Sequence, residues 1–143
     1  MSAISASLRE AVRQRAGDRC EYCQLSQEFQ VATFPVDHIV PVSRAGLTEL
    51  ANLALACPSC NARKWKHVEA PDPETSAMAP LFNPRTHQWA DHFRWSGTDL
   101  VRMEPITAIG RASVSFLELN SEQHLAIRAL LHILGLHPPA ARV

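Results

Sequence analysis

All four cysteines of the chain fall in two Cys-x-x-Cys pairs, Cys20/Cys23 and Cys57/Cys60. Each pair can present two thiolates from one tight turn, and two such turns supply the tetrahedral four-sulfur set that structural zinc takes. Disulfides are the competing chemistry, but nothing in the sequence indicates an oxidising compartment, and a redox dithiol would need only one pair. An iron site is the remaining alternative for the same sulfurs. Zinc held by four thiolates has no open coordination position, so it holds a fold and leaves catalysis to other groups. The 33 residues between Cys23 and Cys57 exceed the ~15–20 of a simple zinc ribbon, so something is inserted there. The insert contains Asp37-His38 and Asn52, and Asn61 follows the second pair. Just beyond, Arg63, Lys64, Lys66 and His67 form a basic cluster that reads either as a local phosphate-binding patch or as a solvated helix face.

Spacing also defines the elements that must position these groups. Ser7-Leu8-Arg9-Glu10 has the pattern of a capping box, and Leu8, Ala11, Val12 and Ala16 keep helical period up to Gly17, which predicts an amphipathic helix over 8–16. Pro35 and Pro41 bracket a β-branched stretch, 36–40, suited to a short edge strand. Residues 43–51 read as a polar connection, and Pro58 suits the first turn of a helix running to about residue 67. Adjacent residues in a regular strand face opposite sides, so for Asp37 and His38 to serve one site the backbone must twist, bulge or end its strand there.

Four prolines between Ala70 and Pro84 predict an irregular connection, which sets a boundary between a chemical module, 1–69, and a remainder, 70–143, packing on it within one compact domain. His92-Phe93-Arg94-Trp95 and Leu100-Val101-Arg102-Met103 predict a β-hairpin around the four-residue turn 96–99. Residues 107–119 alternate like a strand around Val114 and Phe116, but their length favours a helix. A further helix is predicted over 121–134, whose apolar residues cover more than one stripe, so it is either deeply packed or the contact of a homodimer. His87, His92, His124, His132 and His137 have no ligand-like spacing and read as structural or surface residues.

With 143 residues, 14 Lys+Arg against 14 Asp+Glu and 46% hydrophobic residues, the composition fits one globular domain. The zero formal net charge excludes a broadly basic nucleic-acid binder, so any phosphate-binding surface must be local. No apolar run reaches the ~18 residues of a membrane-spanning helix, and the N-terminus lacks a secretory pattern, so a soluble, cytoplasmic protein is expected.

Asp37-His38-Ile39-Val40-Pro41, then Asn52-Leu53, then Cys57-Pro58-Ser59-Cys60-Asn61 followed by Lys64, together resemble the HNH endonuclease family, in particular members whose ββα-metal finger carries a four-cysteine zinc. The resemblance covers about residues 15–67, and weaker similarity continues through Leu81-Phe82-Asn83-Pro84-Arg85, the 92–95 segment and Gly110-Arg111-Ala112. It implies an α+β fold: a small ββα-metal finger with the zinc site, plus a C-terminal β-hairpin and helical extension. It implies that His38 is the general base, that Asn52 bonds across the loop to orient His38, and that Asp37 and Asn61 hold the catalytic cation. Many relatives have histidine where Asn61 stands, which makes this an H-N-N variant. The residue chemistry is compatible: imidazole is the natural base for water near neutral pH, and the hard oxygens of Asp37 and Asn61 suit Mg²⁺ or Mn²⁺ while the thiolates suit zinc. Lys64, on the same helical face as Asn61, is expected to reach a phosphate together with Arg63 and Lys66, and Trp65 is expected to pack against the finger. The implied activity is metal-dependent hydrolysis of phosphodiesters in DNA, double-stranded most readily; a zinc-stabilised nucleic-acid- or protein-binding module without turnover is the alternative.

Overall fold

A computed structural model describes residues 3–140. Helix α1 (Ala6–Ala16) begins two residues earlier than its spacing predicts, because Ser5 rather than Ser7 is the cap, its hydroxyl accepting the Leu8 N–H at 3.2 Å. Glu10 is not part of a capping box; it accepts from Gln14 at 3.1 Å along the exposed face. Gly17, at φ 63°, closes the helix by donating to carbonyls of its last turn.

Strands β1 (Val36–His38) and β2 (Leu53–Leu55) pair antiparallel, with Asp37 opposite Ala54 and His38 opposite Leu53. β1 is two residues shorter than expected because the Asn52 side chain captures both backbone groups of Val40, at 2.9 Å each, and draws the chain out of the ladder. Helix α2 (Pro58–Lys64) follows, with Pro58 in its first turn and the Cys57 sulfur accepting the Cys60 N–H. It stops at Lys64 rather than near residue 67, because Trp65 adopts φ 46° and its N–H closes on Asn61 O.

The segment 70–84 is not irregular. β3 (Glu69–Pro71) and β4 (Met78–Pro80) form a hairpin with Glu69 opposite Pro80 and Pro71 opposite Met78. Pro71 and Pro80 lie at strand ends, where the missing donor costs little, and Asp72 closes the turn by accepting from the Glu74 N–H and the Thr75 hydroxyl. After α3 (Trp89–His92), β5 (Phe93–Trp95) pairs with β6 (Met103–Pro105), so the second strand of this hairpin lies later than 100–103. Asp99 accepts the N–H groups of Val101 and Arg102, and Ser96 N–H donates to Arg102 O, which closes a longer loop than the predicted four-residue turn.

Helices α4 (Ala108–Phe116) and α5 (Glu122–Ile133) complete the fold, capped by the hydroxyls of Thr107 and Ser121. Gly110 lets α4 cross close over the chain: a Cβ there would lie 2.3 Å from His92 O. The buried face of α5 is formed by His124, Arg128 and Leu131, while Leu130, Ile133 and Leu134 are exposed. One apolar cluster joins Val12 and Leu53 to Phe93, Met103, Leu117 and Leu131. The chain is thus mixed α+β, with three separate two-stranded sheets among the described residues. No helix among them is long and apolar enough to cross a membrane.

Candidate active site

The four cysteines meet at the base of the β1–β2 hairpin. Their ligand atoms all lie within 4.8 Å of one another, all four residues are buried, and none forms a disulfide. Zn–S bonds of ~2.3 Å put tetrahedral sulfurs ~3.8 Å apart, and Cys23 Sγ is 3.6 Å from Cys57 Sγ. Each turn also aims a backbone N–H at a sulfur, Cys23 to Cys20 at 3.4 Å and Cys60 to Cys57 at 3.3 Å. Burial, then hydrogen bonding to Cys20, pushes the Cys23 thiol well up, while hydrogen bonds from Cys20, Cys23 and Cys60 hold Cys57 far down. Four sulfurs at this spacing can all be ionised only with a cation between them, and the donor set fits zinc.

His38 ends β1 on the face opposite Asp37, so the strand terminates rather than bulging. Its Nε2 lies 2.9 Å from the Thr48 hydroxyl. The Asn52 amide accepts from Val40 N–H and donates to Val40 O and Leu47 O, all at 2.9 Å, and Ile39 N–H donates to Asn52 O. Asn52 therefore joins the end of the His38 strand to the loop carrying Thr48, without touching the imidazole. Gly46 allows that loop to fold back, since a Cβ there would sit 1.7 Å from Val40 O.

The Asp37 carboxylate is buried, and its Oδ2 accepts from the Tyr22 hydroxyl at 2.7 Å and from Lys64 Nζ at 3.0 Å. Burial raises its pKa against the opposing pull of Lys64 and Tyr22. Burial and the Asp37 charge in turn push the Tyr22 hydroxyl well up. Both hydrogen bonds use Oδ2, which leaves Oδ1 as the oxygen without one. Asn61, half-buried on α2, uses its backbone within the helix, and its side-chain amide makes no hydrogen bond to a described residue.

The basic cluster does not form the patch expected from the sequence. Lys64 is 1% exposed and donates to Ile39 O at 2.9 Å and His38 O at 3.3 Å as well as to Asp37, so it cannot serve as a phosphate contact. The reason is helical period: Lys64 follows buried Cys60 by one turn and shares its inward face. Arg63 is paired with Glu118, whereas Lys66 is exposed with its Nζ 4.4 Å from the centre of the Trp65 ring. Trp65 does not pack into the finger; it is 65% exposed, turned outward by its positive φ. His67 lies edge-on between Trp65 and Phe116, with ring centroids 5.9 and 5.0 Å away.

Three participants carry no signal in isolation. Tyr22 and Glu21 occupy the variable positions of the first cysteine pair, yet Tyr22 holds Asp37, and Glu21 accepts from Leu55 N–H at 2.8 Å and pairs with Arg85. Thr48 is one hydroxyl in a polar loop. Only its place opposite His38 distinguishes it.

A two-stranded hairpin and a helix arranged around a buried cysteine cluster define a ββα-metal finger. Residues 20–67 match the family model described as HNH endonuclease. No curated protein matches the chain.

Proposed function

We propose that the protein is a metal-dependent endonuclease that hydrolyses phosphodiester bonds of double-stranded DNA, with residues 1–69 bearing the chemistry and 70–143 packed on them. The observation that carries this reading is the match of residues 20–67 to the HNH family model, a segment in which His38 is paired with Thr48. With Nε2–H donating to Thr48 Oγ1, Nδ1 keeps the lone pair, and His38 takes the proton of the attacking water at that atom. Asn52 and the Lys64 bonds to His38 O and Ile39 O hold the backbone from His38 to Val40. Asp37, through Oδ1, and Asn61 would hold one Mg²⁺ or Mn²⁺; Tyr22 and Lys64 fix the orientation of the Asp37 carboxylate. When bound there, the ion would supply positive charge for the phosphate and the leaving 3′ oxygen. The products are a 5′-phosphate and a 3′-hydroxyl, and a monomer nicks one strand.

The phosphate contacts reduce to Lys66, with Arg63 as a weaker contributor because Glu118 already neutralises it. A homodimer through 121–134 would cut both strands, and its support is the exposed apolar side chains of Leu130, Ile133 and Leu134. The test is conversion of supercoiled plasmid to nicked and linear forms by zinc-loaded protein with Mg²⁺, Mn²⁺ or EDTA, beside folded His38→Ala. Cation-dependent nicking that disappears in His38→Ala is the expected result. A folded, zinc-loaded wild type that binds DNA but cuts under no cation overturns it in favour of a binding module.

A further inference from the structure

Arg128 is the largest fully buried side chain among the described residues, with no exposed surface in the middle of α5. Its two terminal nitrogens are engaged, Nη1 donating to Val101 O at 3.0 Å and Asn120 Oδ1 at 3.2 Å, and Nη2 to Cys23 O at 3.0 Å and Leu119 O at 2.7 Å. The guanidinium carbon also stands 5.2 Å from the centre of the Trp95 ring. Every one of these partners is neutral, and no carboxylate pairs with Arg128 among the described residues. A guanidinium keeps its proton, so burying it without a counter-charge is strongly unfavourable.

Geometry ties it to the cysteines instead. Nη2 holds the carbonyl of Cys23, one of the four buried residues whose sulfurs lie within 4.8 Å of one another. The cluster has the converse problem: one divalent zinc with four thiolates leaves a net charge of about −2 in a buried site. The other basic side chain on the buried face of α5, His124, does not supply a cation. Burial first, then the Arg128 charge, pushes its pKa down to about 4, so it is neutral near pH 7.

We infer that Arg128 is the fixed counter-charge of the four-cysteine metal centre, so that α5, which lies outside the segment matching the HNH family, is an integral part of that centre. The inference rests on zinc being the ion held by the cysteines. It also gives the Arg128 bond to Cys23 O a purpose beyond packing, since that carbonyl belongs to the turn that presents two of the sulfurs.

The experiment measures zinc affinity of the full chain by competition with a chromophoric chelator at fixed pH, for wild type, Arg128→Gln and Arg128→Lys. Both variants lose the guanidinium fork, and only lysine keeps the charge. Arg128→Gln is expected to bind zinc at least ~10-fold more weakly than wild type, with Arg128→Lys recovering most of the loss. Equal loss in both variants, or no loss in Arg128→Gln, overturns the inference and assigns Arg128 to packing alone. If Arg128→Gln does not fold, a folded and zinc-tight Arg128→Lys supports the charge role, and an equally unfolded one overturns it. A wild type that binds no zinc removes the zinc reading and this inference together, and it does so before any variant is compared.

Discussion

The finger holds two groups of donors that differ in nearly every property a cation or substrate would sense. The cysteine sulfurs are soft, buried and packed against one another, with backbone N–H groups aimed at Cys20 and Cys57. At the proposed catalytic positions the donors are nitrogen and oxygen, His38 and Asn61 are half-buried, and the Asn61 amide makes no hydrogen bond to a described residue. A closed set of soft ligands can stabilise a fold, whereas a partly open set of hard ligands leaves room for water and phosphate. The two are linked rigidly: Tyr22, between two of the cysteines, grips Asp37, and β2 runs directly into Cys57. Order at the first group is thereby converted into position at the second.

The largest effect follows from removing one sulfur. Binding of structural zinc contributes on the order of 10 kcal/mol to folding in small domains, so Cys57→Ser is expected to lose both bound zinc and the cooperative thermal transition. Metal analysis and circular dichroism on one sample check both outcomes. His38→Ala sharpens the contrast from the other side. It is expected to lower plasmid nicking ~10²–10⁴-fold while zinc content and melting temperature stay at wild-type values. A variant that lost zinc along with activity would show that the two groups are not separable in this way.

Lys64 distinguishes a scaffold from a substrate contact. Breaking a buried ion pair by removing one partner typically costs ~3–5 kcal/mol, and Lys64→Met is expected to fall in that range in denaturant unfolding, with the salt dependence of DNA binding unchanged. Unchanged stability together with a reduced salt slope would instead return Lys64 to the phosphate surface. Thr48→Val removes a single hydrogen bond from the His38 ring. A bond worth ~1 kcal/mol predicts a loss of about fivefold in nicking rate with little change in stability, measured side by side.

The sequence discloses these two groups unequally, for a physical reason. Cysteine pairs are legible because zinc dictates both residue type and spacing, and the DHIVP and NL strings are legible because they resemble a known family. The partners that tune the site are reached through the fold: Tyr22 and Lys64 are 15 and 27 residues from Asp37 and meet it only when α2 and the first cysteine turn close on β1. Lys64 illustrates the limit. Its spacing from Asn61 places it on a shared helix face, but which face turns inward is decided by Cys60. The 69–80 hairpin was obscured because prolines argue against strands unless they sit at strand ends, which only the register reveals.

The smallest effect concerns the surface that remains for DNA. Lys66 is exposed and stands over Trp65, whereas Arg63 has Glu118 as a partner. A cation that displaces one counterion from the duplex contributes ~0.9 to the slope of log affinity against log salt. Lys66→Ala is therefore expected to weaken binding equally across DNA sequences and to reduce that slope by about one. Arg63→Ala is expected to change the slope by less, because Arg63 is already paired with Glu118 and displaces less of a counterion from the duplex. The double substitution Arg63→Ala, Glu118→Gln isolates this term: a slope equal to that of wild type would mean that the Arg63–Glu118 pair faces away from DNA and that the contact surface is carried by the Trp65–Lys66 corner, whereas a slope lower by one would return Arg63 to it.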